Sequence, residues 1–486
     1  MTSRELLALA VVAAPACAAV ASAVAPRRAT SAVATAGAVL SAVAAGTLAV
    51  VALADPATRL VGRWVVVDAA AGLLVGVIGV VGLASVLVSP SYLTAMTTGL
   101  VRAERRARAY YCLLFAFWAT TAAIPLAGNL GGAWLLIEAT TATSALLVGF
   151  SGRPRALEAG WKYLILTSLG LGVALLGIVL LAAGSTHGGL DALSWRSLSS
   201  LQPRHGATLV AYLLLLAGLA AKIGWAPVHN WLPDAHAEAP APVSGLLSAA
   251  LLPTVLLVAW RAGQALSPVI GTSTARSVLV GFGLASLAVA VPFLWRPLPW
   301  KRLLAYSSLE HMGVLALGIG FATPLALVGV AVHVAGHAVA KALAFYAATP
   351  LLAHEPRAAA HPASGVARTQ PALGGVLGIT LGALSGLPPS PLFVSEILIV
   401  AGGFQAGRPW TAGVAAVLLA LGFLGLLRAL IETVAGKAHR RTPATGGLRG
   451  VLVLTAVGSA CLLALSAAAL WLPGSDLAGA LARGVG

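Results

Sequence analysis

Apolar residues run through this chain in long blocks, and most polar residues fall between them. Blocks of about 20 apolar residues recur near 5–24, 31–54, 64–89, 109–127, 130–150, 161–183, 207–226, 243–264, 275–294, 303–321, 325–350, 371–402, 411–433 and 449–473. A helix of that length, rising about 1.5 Å per residue, crosses the roughly 30 Å hydrocarbon core of a bilayer. The pattern predicts an all-α polytopic membrane protein of about 14 transmembrane helices. The longest polar stretches, near 184–206 and 353–370, are too short to bury cores of their own. Two blocks are interrupted from within. Gly224 and Pro227 close the seventh, and Ser385-Gly-Leu-Pro-Pro-Ser-Pro391 divides the twelfth, where three prolines end any α-helix. Helices 7 and 12 are therefore expected to be broken. Matched broken helices in two halves of a chain mark inverted-repeat ion transporters.

Composition sharpens this picture. Of 486 residues, 59% are hydrophobic and 9% charged. A soluble domain carries roughly 25% charged residues, so a water-soluble enzyme is excluded. The net charge of +16 would suit nucleic acid, but in membrane proteins Lys and Arg collect in cytoplasmic loops. Eighteen basic residues follow odd-numbered blocks, among them Arg153, Arg155, Lys162, Lys301, Arg302 and Lys437, whereas nine lie on the other side. That bias puts the odd loops in the cytoplasm of a cell-membrane protein and both termini outside it. The loop after the seventh block has no Lys or Arg. Cys17, Cys112 and Cys461 form no C-x-x-C pair, which argues against a disulfide framework or a thiolate metal site. The first 25 residues resemble a signal peptide, yet Glu5 stands in the would-be basic region, so a retained first span is expected.

Candidate chemistry lies where charge is expensive. An ionisable group within a span costs a few kcal/mol or more and usually marks an ion path or proton relay. Glu138 stands mid-span with no cation in its own helix, and Lys222, just before the seventh break, is its natural partner. His333, His337 and Lys341 recur every four residues, which places them up one helix face over about 12 Å. Such a stripe can pass protons. A metal pair is the rival reading, although H-E-x-x-H is missing and the spacing offers no third ligand. Glu396 follows the second break. Arg428 and Glu432, four residues apart, neutralise each other as a structural pair or end a path. Glu310 and His311 are read as an entrance. His229, Asp234 and His236 are read as a mouth of the path or an interfacial cap.

Three stretches resemble one family. They are Lys222-Ile-Gly-Trp-Ala-Pro-Val-His-Asn-Trp-Leu-Pro-Asp-Ala-His-Ala-Glu-Ala-Pro-Ala-Pro-Val-Ser244, Lys301-Arg-Leu-Leu-Ala-Tyr-Ser-Ser-Leu-Glu-His-Met-Gly313 and His333-Val-Ala-Gly-His337-Ala-Val-Ala-Lys341. They are similar to signatures of the antiporter-like membrane subunits of respiratory complex I, Mrp antiporters and membrane-bound hydrogenases. Glu310-His-Met-Gly and Gly386-Leu-Pro-Pro-Ser-Pro-Leu-Phe-Val-Ser-Glu396 look like component F of hydrogenase 4 and its formate-hydrogenlyase relatives. The resemblance implies helices 1–3 over 1–108, two inverted five-helix repeats over 109–264 (helices 4–8) and 275–433 (helices 9–13), and helix 14 within 449–486. It implies proton translocation along a mid-membrane polar axis. Glu138 and Lys222 would be the coupling pair, His333, His337 and Lys341 the continuation, and Glu396 the far carboxylate. One departure stands out: where many members carry a lysine and a histidine in helix 8, this chain has Pro253 and Ser248. The middle of the axis would then rest on hydroxyls such as Ser248 and Thr254.

The function expected is that of a proton-translocating subunit of a hydrogenase-like or complex I-like (NADH dehydrogenase-type) oxidoreductase. It has no catalytic, cofactor or metal residues in this chain. Metal and redox centres are expected in partner subunits, both membrane-bound and soluble. The alternative is a subunit of a cation/proton antiporter or an inorganic-carbon uptake complex without redox activity. A third reading, a scaffold whose axis has decayed, draws on Pro253.

Overall fold

The computed structural model describes residues 2–96, 100–185, 188–201, 205–437, 447–474 and 479–480. Arg204, Arg440, Arg441 and Arg483, counted above among the loop charges, lie outside them. Twenty α-helices lie among the described residues. The first six are α1 (Ser3–Val24), α2 (Thr30–Ala54), α3 (Ala69–Met96), α4 (Leu100–Ala123), α5 (Leu130–Val148) and α6 (Pro154–Ala183). Next come α7 (Trp195–Ser199), α8 (His205–Ile223), α9 (Leu232–Glu238), α10 (Ala241–Leu246), α11 (Leu252–Ile270), α12 (Thr272–Leu294) and α13 (Trp300–Phe321). The chain continues through α14 (Pro324–Tyr346), α15 (Ala348–His354), α16 (Val366–Thr369), α17 (Pro371–Leu384), α18 (Pro391–Gln405), α19 (Pro409–Ala435) and α20 (Leu448–Ala469). A two-residue antiparallel ribbon, Leu60–Val61 against Val66–Val67, is a small addition to the all-helical expectation.

Among the described residues, thirteen helical stretches are long and apolar enough to cross a membrane, which makes this a multi-pass membrane protein. The twelfth expected crossing is made of two shorter pieces, α17 and α18. The helix starts follow local chemistry. Thr2 and Glu5 close a capping box at α1, which gives Glu5 a structural role. Asn129 Oδ1 accepts from Gly132 N at 2.6 Å to begin α5, and Thr323 Oγ1 accepts from Ala326 N to begin α14.

Both breaks use the same device. α8 ends at Gly224 (φ 81°) and α17 ends at Gly386 (φ 77°), each in the left-handed region that favours glycine. Trp225 N donates back to Ala220 O at 3.0 Å, and Leu387 N to Gly382 O at 3.0 Å. These are matching Schellman ends, each followed by proline within three residues. A third irregularity lies in the eighth crossing. Pro253 has no N–H for the carbonyl of residue 249, and the helix widens into a π-helical turn at Leu247–Leu251 just before it.

The core lies around α13 and the α10–α11 run. In each of these crossings 94% of the apolar window is enclosed, against 28% in α19 and α20. α6 turns Trp161, Ile165, Leu169 and Leu176 outward, as suits a lipid-facing surface. A buried ion pair ties α11 to the start of α3: Arg261, 1% exposed, donates to Asp68 Oδ2 at 2.8 Å and to Pro125 O at 2.7 Å. Arg261, one of the nine basic residues that the sequence puts on the other side, is therefore not a loop charge, and Asp68 caps the first turn of α3 through Ala71 N.

Candidate functional site: a buried polar file

Lys222 sits in the last turn of α8, fully enclosed. Its Nζ donates to Thr141 Oγ1 at 2.7 Å and to the Tyr163 hydroxyl at 2.6 Å. That hydroxyl also meets Ser144 Oγ at 2.8 Å. Glu138, half-buried, accepts from Ser168 Oγ at 2.6 Å, and its other carboxylate oxygen is buried with no partner. Glu138 and Lys222, the expected coupling pair, lie in one neighbourhood but are not joined by an ion pair among the described residues. Thr141, one turn along α5 from Glu138, stands where the ammonium reaches first, and Tyr163 fills the other side. Hydroxyls from α5 and α6 thus stand around the two charged groups.

From Tyr163 the file continues inward by ring contacts. Tyr163 lies 4.7 Å from Trp231, Trp231 lies 6.4 Å from His236, and His236 stacks on Phe345 at 5.2 Å between centroids. Phe345 is one helical turn past Lys341. His236 is 0% exposed, and neither ring nitrogen has a partner. Reading it as a mouth or cap is therefore corrected: α9 folds back so that Ala235 and His236 face the core while Asp234 and Glu238 are turned to the rim. At the rim, Asp234 pairs with Arg302 and with Lys162 (3.5 Å), and Glu238 pairs with Arg153 (3.5 Å). Lys301 donates to Ala237 O at 2.8 Å and also to Ala239 O, holding the C-terminal carbonyls of α9. The loop after the seventh crossing, which has no Lys or Arg, is acidic and rests against basic residues flanking the fifth, sixth and ninth crossings.

The second half of the chain gathers its groups more tightly. Lys341 Nζ donates to Ser307 Oγ at 2.9 Å and to Leu304 O at 3.1 Å. Ser308, beside Ser307, shares a 2.7 Å hydrogen bond with Ser248 in the π-helical turn, while Thr254 is bonded within its own helix to Ala250 O. One turn up α14, His337 is buried with both ring nitrogens unpaired. His311 meets His333 at 3.1 Å, His333 also meets Ser395 Oγ at 2.9 Å, and His311 and His337 have centroids 5.0 Å apart. Glu396 lies with these two: its carboxylate and ring nitrogens of His311 and His333 all fall within 4.8 Å of one another. Glu310, 4% exposed, keeps one carboxylate oxygen unpaired.

The entrance reading of Glu310 and His311 is thereby corrected. They stand ten and eleven residues into α13, about 15 Å along it, and so at mid-depth. His229 is half-buried in the break after α8, with Nδ1 unpaired. Arg428 and Glu432 pair at 3.6 Å with side chains 38% and 41% exposed, and Arg428 also donates to Trp295 O. His229, Asp234, Arg428 and Glu432 are not brought to the file.

Residues 127–430, well over half of the chain, match the family model described as NADH:quinone oxidoreductase/Mrp antiporter, TM. The chain belongs to this family. Among individual relatives, it is 36% identical over 308 residues to a hydrogenase-4 component F homolog of Methylacidiphilum infernorum, an alignment covering 62% of this chain and 64% of that one. The first curated relatives are spanned over 48% to 64% of their own lengths. The fold is close to that of a chain of the membrane-bound sulfane sulfur reductase, an archaeal respiratory membrane complex. The TM-score is 0.85 at 20% identity, over 99% of this chain and 97% of that one. It is also close to a chain of the Mrp complex from Dietzia sp. DQ12-45-1b, with TM-score 0.83 at 21% identity and the same coverage. The stretch shared with the antiporter-like family takes in the whole file, from Glu138 to Glu396, and the short helix α9 that carries His236.

Proposed function

We propose that this chain is the proton-translocating membrane subunit of a hydrogenase-like or complex I-like oxidoreductase complex. One observation carries the reading. Titratable and hydroxyl side chains on α5, α6, α8, α9, α13, α14 and α18, linked around His236 by the rings of Trp231 and Phe345, form a file that is buried except at its half-buried ends, Glu138 and Glu396, in a membrane protein that otherwise avoids charge. Groups that are costly to bury persist where an ion path needs them. In this reading Lys222 is the switch. Its ammonium is held by Thr141 and Tyr163, with Glu138 beyond them, so a shift of α5 or α6 changes how firmly the proton is kept. His236, Lys341 with Ser307, and the histidines of α13 and α14 carry the proton onward to Glu396. Redox centres belong to partner subunits, both in the membrane and soluble, and the termini face away from the cytoplasm.

The test is proton uptake in proteoliposomes holding the complex as purified. Lys222→Ala is expected to slow uptake by roughly 100-fold, the scale of losing a positioned acid–base group. Uptake at the unmodified rate would end the proposal. The subunits that copurify separate this reading from an antiporter or inorganic-carbon uptake complex: hydrogenase-like soluble subunits fit the first, small antiporter subunits or a zinc-binding soluble partner the second.

A further inference from the structure

The spacing of His333 and His337 offers no third metal ligand, but the fold brings one from α13 and another from α18. His311 Nδ1 and His333 Nε2 stand 3.1 Å apart, and Glu396 completes a trio whose ligand atoms all lie within 4.8 Å. Two imidazole nitrogens bound tetrahedrally to one zinc ion at about 2.05 Å lie about 3.3 Å from each other. The pair is thus within a few tenths of an ångström of zinc-binding geometry. His337, 0% exposed with both ring nitrogens unpaired, borders the same space at 5.0 Å from His311, centroid to centroid. The donor set of imidazoles with one carboxylate suits a transition cation of the zinc class rather than sodium, which prefers oxygen. Glu396 also lines a mostly apolar groove between α18 and α19, bordered by Ser385, Pro388, Phe393 and Phe404.

We propose that His311, His333 and Glu396 bind a divalent transition cation of the zinc class, and that the bound cation halts the transfer proposed above. The cation takes the place of the proton in the hydrogen bond between the two imidazoles, which passes to the other nitrogen of the ring that carried it, so both imidazoles bind as neutral ligands. Binding stands on the geometry alone; the inhibitory role rests on the relay reading.

The experiment uses the full chain in detergent, stripped with a chelator and titrated with zinc chloride against a chromophoric competitor. One zinc per chain is expected, with an X-ray absorption spectrum showing nitrogen and oxygen neighbours and no sulfur. Glu396→Gln and His333→Ala are each expected to weaken binding at least about tenfold, and His361→Ala, on the exposed surface, to leave it unchanged. Should His333→Ala fail to fold, the isosteric Glu396→Gln decides, with zinc raising the melting temperature of the unaltered chain but not of the variant. No saturable zinc, a sulfur shell, or Glu396→Gln binding like the unaltered chain each overturns the proposal. In proteoliposomes, zinc is expected to stop uptake. Uptake that continues with zinc bound overturns the inhibitory role, while a chain that moves no protons without zinc overturns the relay reading and leaves the binding result intact.

Discussion

Around Lys222 the charges are met by hydroxyls; around His337 imidazole nitrogens stand without partners. In the first region Thr141 and Tyr163 accept two hydrogen bonds from Lys222 and Ser168 donates one to Glu138, whose other carboxylate oxygen has no partner. In the second, His311 Nε2, both nitrogens of His337 and one oxygen of Glu310 are buried and unpaired. An unmet buried polar group costs about 1–3 kcal/mol, so the second region, with four such atoms against one, is held at the greater expense. The contrast also separates two tasks. A proton is held in one place by fixed partners, and it is passed along by groups with a bond still to make. The ionisable residues fall on opposite sides of the two matching breaks as well: Lys222 precedes Gly224 by two residues, whereas Glu396 follows Gly386 by ten.

Removing one hydroxyl breaks the first region most directly. Tyr163→Phe deletes the bonds to Lys222 and Ser144 and leaves the ammonium on Thr141 alone. A hydrogen bond to a charged group contributes about 1.5–3 kcal/mol, and a loss of about 2 kcal/mol is expected in thermal unfolding of the purified chain. Slower proton uptake should accompany it. Unchanged stability would mean that Tyr163 does not hold Lys222.

His337→Leu should move stability the other way. Both ring nitrogens are unpaired, so an apolar side chain of similar volume removes a burial cost, and a gain of about 1 kcal/mol is expected. Uptake is expected to fall even as the melting temperature rises. If the variant is instead destabilised, the imidazole is held by partners and the contrast between the regions fails.

Between the two regions lies the Ser248–Ser308 hydrogen bond. Ser248→Ala should cost about 1 kcal/mol. If the hydroxyls carry the proton across the middle, uptake drops as well. If His236 carries it, uptake holds, and His236→Leu is the variant that stops it.

Much of this arrangement was legible in the chain. The number of crossings, both broken helices, Lys222 and the α14 stripe follow from block length, from Gly and Pro within apolar runs, and from charges in hydrocarbon. What escaped depends on helix phase between segments. Glu310 and His311 are neighbours whose side chains diverge by about 100°, and only packing sends His311 against α14. The burial of His236 escaped because α9 has seven residues, too few for a period to separate its buried face from its charged one. The hydroxyls of Thr141, Tyr163 and Ser168 are too common in membrane helices to stand out, although Thr141 lies one turn from Glu138 and shares its face. The Arg261–Asp68 pair cannot be read from the sequence, because 193 residues separate its members.

The smallest expected effect tests where the file ends. Asp234 is flanked by His229 and His236 in the sequence, but in the fold it belongs to a rim of ion pairs with Arg302 and Lys162, whose side chains are 45% and 49% exposed. Pairs this exposed contribute less than about 1 kcal/mol and weaken in salt. Asp234→Asn should therefore lower the melting temperature slightly at low ionic strength and by less at 1 M salt. A large loss that salt does not reduce would mean that Asp234 supports the buried groups of α9. The boundary between rim and file would then have to move outward to include it.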